Sequence, residues 1–307
     1  MTRRRYVVLD VFTDRAHAGN PLAVVLDGDG LDTAAMQTIA REFNLSETVF
    51  VRPAARPSHS AALRIFTPGR ELPFAGHPTV GTAALLAEER FGTPESGIDA
   101  MVVLEETVGT IRAAVRLDPV RATYAEFDAP RLPARVPGEM PDKGAIADAL
   151  GLEATEIGFE NHVPSVFDAG VAFVFVPIEG LDAIGRARLD PARWLAAFGE
   201  AEAFSVFVYC RETRNHDSAF HARMFDFGFG IGEDPATGSA AAAFAGVIAA
   251  FDTPTDGTHR ARIEQGFEMG RPSLIDLTTE FHEGRLAALR IGGSVVRVAE
   301  GELLGTP

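Results

Sequence analysis

The sequence contains one cysteine, Cys210, in 307 residues. A single thiol cannot form a disulfide within the chain or a cysteine-based metal cluster. The segment Phe204–Cys210 is apolar and typical of a buried strand, so we expect a core thiol rather than a reactive one. A disulfide framework is therefore excluded.

Long apolar runs and positive charge are also scarce. No stretch approaches the ~20 apolar residues of a membrane-spanning helix, and the apolar run after Arg3–Arg5 is too short for a signal peptide. The net charge of −15 repels phosphate backbones and anionic lipids. We therefore expect a cytoplasmic protein that binds neither nucleic acid nor a membrane.

Common cofactor and metal motifs are missing as well. The eight histidines are not spaced as metal ligands usually are. There is no dinucleotide fingerprint and no nucleophile elbow, and the glycine-rich run Gly228–Gly232 lacks the lysine of a phosphate loop. Proton transfer without a cofactor or a metal is the chemistry that remains.

The chain is long enough for two domains, with 46% hydrophobic residues to build their cores. Pro and Gly cluster between positions 130 and 144, which indicates a linker or, equally well, a long surface loop. Hydrophobic periodicity and helix start signals predict the elements. Helices are predicted over Asp32–Phe43, with Asp32 as N-cap, Thr79–Phe91, Ile146–Leu150 and Pro191–Phe198. Strands are predicted over Tyr6–Phe12, Leu22–Leu26, Glu47–Val51, Ala62–Phe66, Met101–Leu104, Gly109–Leu117, Val171–Val176, Phe204–Cys210, Ala219–Phe225, Ser273–Thr278 and a terminal pair, Leu286–Ile291 and Ser294–Val298.

The two halves of the sequence resemble each other. His77–Ala84 aligns with Asp234–Ala241, with an offset of 157 positions, and Arg64–Gly69 aligns with Arg223–Gly228, with an offset of 159. This alignment predicts a second loop two residues shorter than the first. Two unrelated helix starts in an Ala-rich chain are the alternative.

Each repeat predicts a strand, a glycine-rich loop, a proline in the first helical turn and an Ala-rich helix. We expect the two helix N-termini to face each other across a cleft between the halves. Their unpaired N–H groups and positive dipole ends would form a carboxylate clamp.

Three polar residues are candidates for the chemistry. His77 and Asp234 take equivalent places in the alignment, and Glu47 begins an apolar strand, with its counterpart near Ser205. A buried Glu47 would have a raised pKa, as a general acid/base needs. The alternatives are a surface or capping acid for Glu47, a helix-capping imidazole for His77 and a plain N-cap for Asp234.

Taken together, six motifs resemble the PhzF-like isomerases of phenazine biosynthesis, relatives of diaminopimelate epimerase. The motifs are Asp10–Thr13, Gly19–Val25, Asn44–Phe50, Arg64–Pro68, Glu71–Thr79 and Gly232–Ala240. The resemblance covers the whole chain in order, although the region from 130 to 199 carries no motif of the family.

The resemblance implies an α+β, duplicated diaminopimelate epimerase-like fold, with two lobes that are each a β-barrel-like sheet around a central helix. The first lobe would span 1–126, with the terminal strand 294–305 packing back on it, and the second 127–293. The site would lie between the lobes, the protein would be a homodimer, and no cofactor would be needed.

The resemblance also implies the site residues. Glu47 would be the general acid/base. The residues lining the site would be His77, Asp234, Gly76, Gly238 and Ser239, with Asn20 and Ser46 nearby. Related epimerases use a cysteine pair, which this chain lacks. We therefore expect an isomerase that moves a proton between carbons of a small carboxylate. The alternatives are a non-catalytic small-molecule binding protein and an enzyme of another type, such as a cyclase or hydratase.

Overall fold

The computed structural model describes residues 3–200, 204–227 and 232–305, which form a mixed α/β fold. The helices are α1 (Thr33–Phe43), α2 (Gly76–Phe91), α3 (Lys143–Leu150), α4 (Leu181–Arg186), α5 (Pro191–Phe198) and α6 (Gly238–Phe251). The strands are β1 (Arg3–Val11), β2 (Asn20–Val25), β3 (Glu47–Arg52), β4 (Ala61–Phe66), β5 (Glu71–Leu72), β6 (Ile98–Glu106), β7 (Gly109–Leu117), β8 (Thr123–Asp128), β9 (Ala134–Arg135), β10 (Ser165–Asp168), β11 (Ala172–Pro177), β12 (Val206–Cys210), β13 (Phe220–Phe225), β14 (Glu233–Asp234), β15 (Gly257–Gln265), β16 (Ser273–His282) and β17 (Arg285–Leu304).

The chain folds into two compact units. Unit 1 comprises Met1–Pro130, Arg271–Leu274 and Arg290–Pro307, and unit 2 comprises Arg131–Gly270 and Ile275–Leu289. The proline- and glycine-rich region that the sequence singled out begins at the change from unit 1 to unit 2.

Eight strands of unit 1 close into a barrel. The pairing runs β1–β2–β3–β4–β6–β7–β8–β17 and returns to β1, because β17 pairs with both β8 and β1. The pairs β2–β3 and β4–β6 are parallel, and the others are antiparallel. A closed barrel of this kind pairs each of its eight strands with a neighbour on both sides.

Helix α2 lies inside this barrel, against β1, β2, β3, β6, β7 and β8. Every residue from Gly76 to Leu85 is buried, which is the pattern of a helix enclosed on all sides. The enclosure depends on small residues. A Cβ at Gly81 would lie 2.7 Å from Leu22 Cδ2 and 2.8 Å from Val11 Cγ2.

Helix α1 packs on the outside of the barrel and leads into β3. The Asp32 side chain accepts a hydrogen bond from Ala35 N at 2.8 Å, which confirms the predicted N-cap. At the other end, Asn44 takes the left-handed conformation, with φ of 50°, and ends the helix. The turn delivers Ser46 and Glu47 to the start of β3.

Unit 2 contains a sheet in the order β9–β10–β11–β12–β13–β15, with β11–β12 and β13–β15 parallel. Helix α6 lies against β9, β10 and β11, and its residues from Ala240 to Ile248 are buried. Phe244 packs there against Phe175, Phe207, Tyr209 and Phe220. Helices α3, α4 and α5 cover a second core around Trp194.

The pairing pattern of unit 1 recurs in unit 2. Strands β2, β3, β4, β5 and β6 pair with the same orientations as β11, β12, β13, β14 and β15. An ion pair joins the third and fourth strands of each set: Arg64 to Glu71 at 2.6 Å, and Arg223 to Glu233 at 2.8 Å. Glu71 is therefore the counterpart of Glu233.

This register corrects the alignment drawn from the sequence. Gly76 and Gly238 are the first residues of α2 and α6, with the offset of 162 that also relates Glu71 to Glu233 (233 minus 71). The offset of 157 was wrong by five positions, because Pro, Gly and Ala recur within Ala-rich segments and allow a false match. The second loop is three residues longer, not two shorter; Gly228 lies outside the described residues.

The predicted terminal strand pair was also wrong. β17 is one strand of 20 residues that runs through Gly292 and Gly293 without a turn. The glycines permit close contact instead: a Cβ at Gly292 would lie 2.6 Å from the Tyr124 hydroxyl, and one at Gly293 would lie 2.5 Å from Phe12 Cδ1.

Within the described part of the chain, none of the helices combines the length and the apolar character needed to cross a membrane.

We predict that Gly81→Val destabilises the protein by about 1–3 kcal/mol, because the added carbons overpack α2 against β1 and β2. Chemical denaturation measures the effect. Gly97→Val is the matched control, since the nearest atom to a Cβ at Gly97 is 3.8 Å away. Equal stability of the two variants would contradict the close packing of α2.

Candidate active site

Glu47 stands at the start of β3, at one end of the unit 1 barrel. Its side chain is 13% exposed. The residues that follow it on β3, from Thr48 to Val51, are buried, so the carboxylate marks the boundary between the apolar wall and the barrel mouth. The structure thus places Glu47 at a largely desolvated position rather than on the outer surface.

His77 is the second residue of α2 and lies beside Glu47. Its Nε2 is 3.3 Å from Glu47 Oε2, and its side chain is 5% exposed. Burial lowers the pKa of His77 from its ordinary 6.5 to about 3. The imidazole is therefore neutral at neutral pH, and the pair combines a carboxyl with an uncharged ring.

The other predicted site residues of unit 1 lie at the same end of the barrel. Asn20 begins β2, two residues before Leu22, which pairs with Glu47 in the parallel ladder. Ser46 immediately precedes Glu47, and Gly76 opens α2. Asn20 and Gly76 are both buried. Five residues chosen from the sequence thus meet at one barrel mouth.

The predicted residues of unit 2 surround the start of α6. Gly238 and Ser239 are its first two residues, and Asp234 belongs to β14. Asp234 is not the N-cap, a position that Thr237 takes. The Thr237 hydroxyl donates to Asp234 Oδ2 at 2.6 Å, which ties the buried carboxylate to the helix start.

The predicted equivalence of His77 and Asp234 was wrong. With the register set by the ion pairs, the counterpart of His77 is Ser239, and the counterpart of Asp234 is Leu72. Thr48 pairs with Phe66 as Val206 pairs with Phe225, so Ser205 corresponds to Glu47, as predicted.

A further buried acid, Glu106, escaped the sequence analysis. It ends β6, is 8% exposed, and lies 2.8 Å from the Thr79 hydroxyl of α2. Leu104 pairs with Ala61 as Ile263 pairs with Phe220, so the counterpart of Glu106 is Gln265. The repeat of the strands relates Glu106 to a polar residue in unit 2, but this relation can be found only when the strand pairing has fixed the register.

Cys210 is buried, as predicted. Its burial is the main reason why the pKa of the thiol is raised to about 12. Within the ranges that the structure describes, there is no group of three or more His, Cys, Asp and Glu side chains placed to hold a metal ion.

The chain matches the family described as phenazine biosynthesis-like protein over residues 9–301. An uncharacterized isomerase of Mesorhizobium japonicum is 56% identical over 307 residues, which is 99% of each chain. The trans-2,3-dihydro-3-hydroxyanthranilate isomerase of Pseudomonas aeruginosa is 35% identical, over 97% of this chain and 98% of the relative.

Comparison with solved structures agrees with the family match. A phenazine biosynthesis protein of the PhzF family from Bacillus anthracis superposes with a TM-score of 0.87 at 27% identity, covering 99% of this chain and 100% of the other. A hydroxyproline epimerase from Agrobacterium vitis shares the fold alone, with a TM-score of 0.61 at 13% identity, over 99% of this chain and 91% of the other.

The protein belongs to the phenazine biosynthesis-like (PhzC/PhzF) family and is an isomerase of that family. The resemblance drawn from the motifs is thereby confirmed.

We predict that His77 makes the fold sensitive to acid. The folded state lowers the pKa of this imidazole to about 3, so between pH 6.5 and 3 the unfolded chain binds the extra proton and the folded protein loses stability as the pH falls. His77→Gln should remove part of that loss, measured by denaturation at several pH values. The exposed His282 supplies the control variant His282→Gln, and identical acid profiles for the two would contradict the burial of a neutral His77.

Proposed function

We propose that this isomerase moves a proton between carbons of a small carboxylate substrate, with Glu47 as the general acid/base. The observation that carries the proposal is the Glu47–His77 pair. It joins a carboxyl and a neutral imidazole, 3.3 Å apart and largely buried, at the mouth of the barrel. A single group of this kind can accept a proton from one carbon and return it to another.

The geometry suggests a division of roles. Glu47 carries the proton. The neutral His77 ring lies beside the carboxylate and limits its movement by contact, and it does so without adding a positive charge that would make Glu47 a weaker base. The first turn of α2 supplies backbone N–H groups and a positive dipole end, which suit the carboxylate of the substrate.

Further parts of the hypothesis rest on the family resemblance and the repeat. We propose that Asp234, Gly238 and Ser239 contribute from unit 2, and that the fold is a duplicated diaminopimelate epimerase-like fold with a barrel around a helix in each half. The opposed helix starts, the shared cleft, the homodimer and the cytoplasmic location stay predictions.

The relatives suggest the first substrate to try. Three isomerases of Pseudomonas named for trans-2,3-dihydro-3-hydroxyanthranilate are 32–35% identical to this chain. That compound carries a carboxylate and can shift a proton between ring carbons, so it fits the proposed class. We propose it as the probe, together with a panel of small cyclic carboxylates.

We predict that Glu47→Gln abolishes solvent deuterium incorporation into the probe while leaving folding intact. Gln keeps the shape but cannot exchange a proton, and general acid/base catalysis contributes about 10²–10⁴-fold. Mass spectrometry of the probe in deuterium oxide measures the rate. Glu42→Gln, which changes an exposed acid of α1, is the matched control and should retain the wild-type rate.

Two outcomes would contradict the proposal. If Glu47→Gln kept more than about a tenth of the wild-type exchange rate, Glu47 would not be the base. If the wild type bound the carboxylates of the panel without exchanging any of their protons, the site would bind this class of compound without the proposed proton transfer.

A further inference from the structure

Glu106 is a buried acid that the proposed reaction does not use. It ends β6, opposite Gly109 of β7, and its carboxyl reaches α2 in the interior of unit 1. There it meets Thr79, which stands two residues after His77. The same Thr79 hydroxyl also contacts Ala75 O, and Ala75 is the N-cap of α2.

The hydrogen bonds of Thr79 constrain the protonation of Glu106. The hydroxyl oxygen lies 2.8 Å from Ala75 O and 2.8 Å from Glu106 Oε1. A hydroxyl has one proton to donate, and a carbonyl oxygen can only accept. If Thr79 donates to Ala75 O, Glu106 must donate to Thr79, and a carboxyl donates only in its neutral form.

The second oxygen of Glu106 points to the same conclusion. Glu106 Oε2 is buried, and no residue that the structure describes gives it a hydrogen bond. An anion there would leave a charged oxygen without a hydrogen-bond donor in an apolar interior, which is costly. A neutral acid avoids this cost, because its O–H group can form the hydrogen bond to Thr79 and its other oxygen carries no charge.

The charged groups of the surrounding elements do not offset an anion at Glu106. On α2, His77 is neutral; on β6, Glu105 accepts from Ala55 N and Arg56 N; and on β7, Arg112 is exposed. The described residues form no ion pair with Glu106. Burial raises its pKa from the ordinary 4.5 to about 8, with the Thr79 contact opposing the rise.

The repeated unit places a neutral group at the same position. Gln265, the counterpart of Glu106, accepts from Thr237 N at 3.1 Å and donates to Asp234 O at 2.7 Å. It therefore fastens the segment before α6 through one donor and one acceptor. The amide of Gln265 also donates to the Thr237 hydroxyl at 3.0 Å. A protonated glutamic acid has a similar shape and can supply one donor and one acceptor, with one donor fewer than the amide.

We propose that Glu106 is a positioning residue, held as a neutral acid, that fastens Thr79 and Ala75 in the first turn of α2 and thereby keeps His77 against Glu47. The consequence for turnover rests on the proposed function, whereas the protonation state does not. When Glu106 ionises, the proton of the Thr79 hydroxyl turns to the carboxylate, Ala75 O keeps only its 3.3 Å bond from Thr79 N, and the first turn of α2 loosens.

The first experiment needs no substrate. Because folding raises the pKa of this carboxyl from 4.5 to about 8, the folded state holds a proton that the unfolded chain releases, and wild-type stability falls as the pH rises through that interval. Glu106→Gln has no such proton. We expect its stability relative to wild type to increase between pH 4.5 and 8 and then to level off. A pH-independent difference would overturn the proposal.

The second experiment measures deuterium exchange into the probe against pH for the wild type, Glu106→Gln and Glu106→Leu. The wild-type rate should decline above about pH 8, and Glu106→Gln should keep the neutral rate within about threefold and lack that decline. Glu106→Leu should lose about tenfold to hundredfold, as expected for misplaced catalytic groups. The same alkaline decline in wild type and Glu106→Gln would overturn the positioning role.

The two experiments separate the hypotheses. If the probe shows no exchange with any variant, the proposed function fails, while the stability profiles still decide whether Glu106 is neutral. If exchange depends on Glu47 but not on Glu106, the proposed function holds and the positioning role fails.

Discussion

The enclosure of α2 by a closed barrel is the constraint on which the rest of unit 1 depends. Strands can close around a helix only if the helix presents small residues, and Gly81 shows how little space remains beside β1 and β2. A helix held on all sides cannot slide or rotate freely. Its first turn is therefore fixed at the barrel mouth, and His77 is fixed beside the start of β3.

The same enclosure sets the electrostatics of the site. Removing groups from water penalises their charged forms, so one physical effect lowers the pKa of a base and raises that of an acid. His77 shows the first shift, to about 3, and Glu106 the second, to about 8. Two titratable groups near the first turn of α2 are thus neutral at pH 7, and both lie near Glu47, the residue proposed to carry the proton.

The two units repeat the scaffold but not the titratable groups. Glu105 and Glu264 fasten corresponding loops, each accepting two backbone N–H bonds, from Ala55 and Arg56 in unit 1 and from Arg214 and Asn215 in unit 2. At three other positions unit 1 carries a titratable side chain and unit 2 a neutral one. These pairs are Glu47 and Ser205, His77 and Ser239, and Glu106 and Gln265. The acids that fasten loops are kept in both units, whereas the proposed catalytic pair and the proposed positioning residue Glu106 are found in unit 1 alone.

The sequence by itself determined the local elements and the family: the N-cap at Asp32, the bounds of α5 and the motifs around Glu47, His77 and Gly238 follow from neighbouring residues. The tertiary structure decided the rest. The register of the repeat depends on strand pairing and on the ion pair that Arg64 forms with Glu71, which recurs in unit 2. Strand β17 is continuous because its glycines leave room for the side chains that pack against it. Burial, which decides whether a carboxyl such as Glu106 is neutral, comes from residues distant in the chain, and no local pattern encodes it.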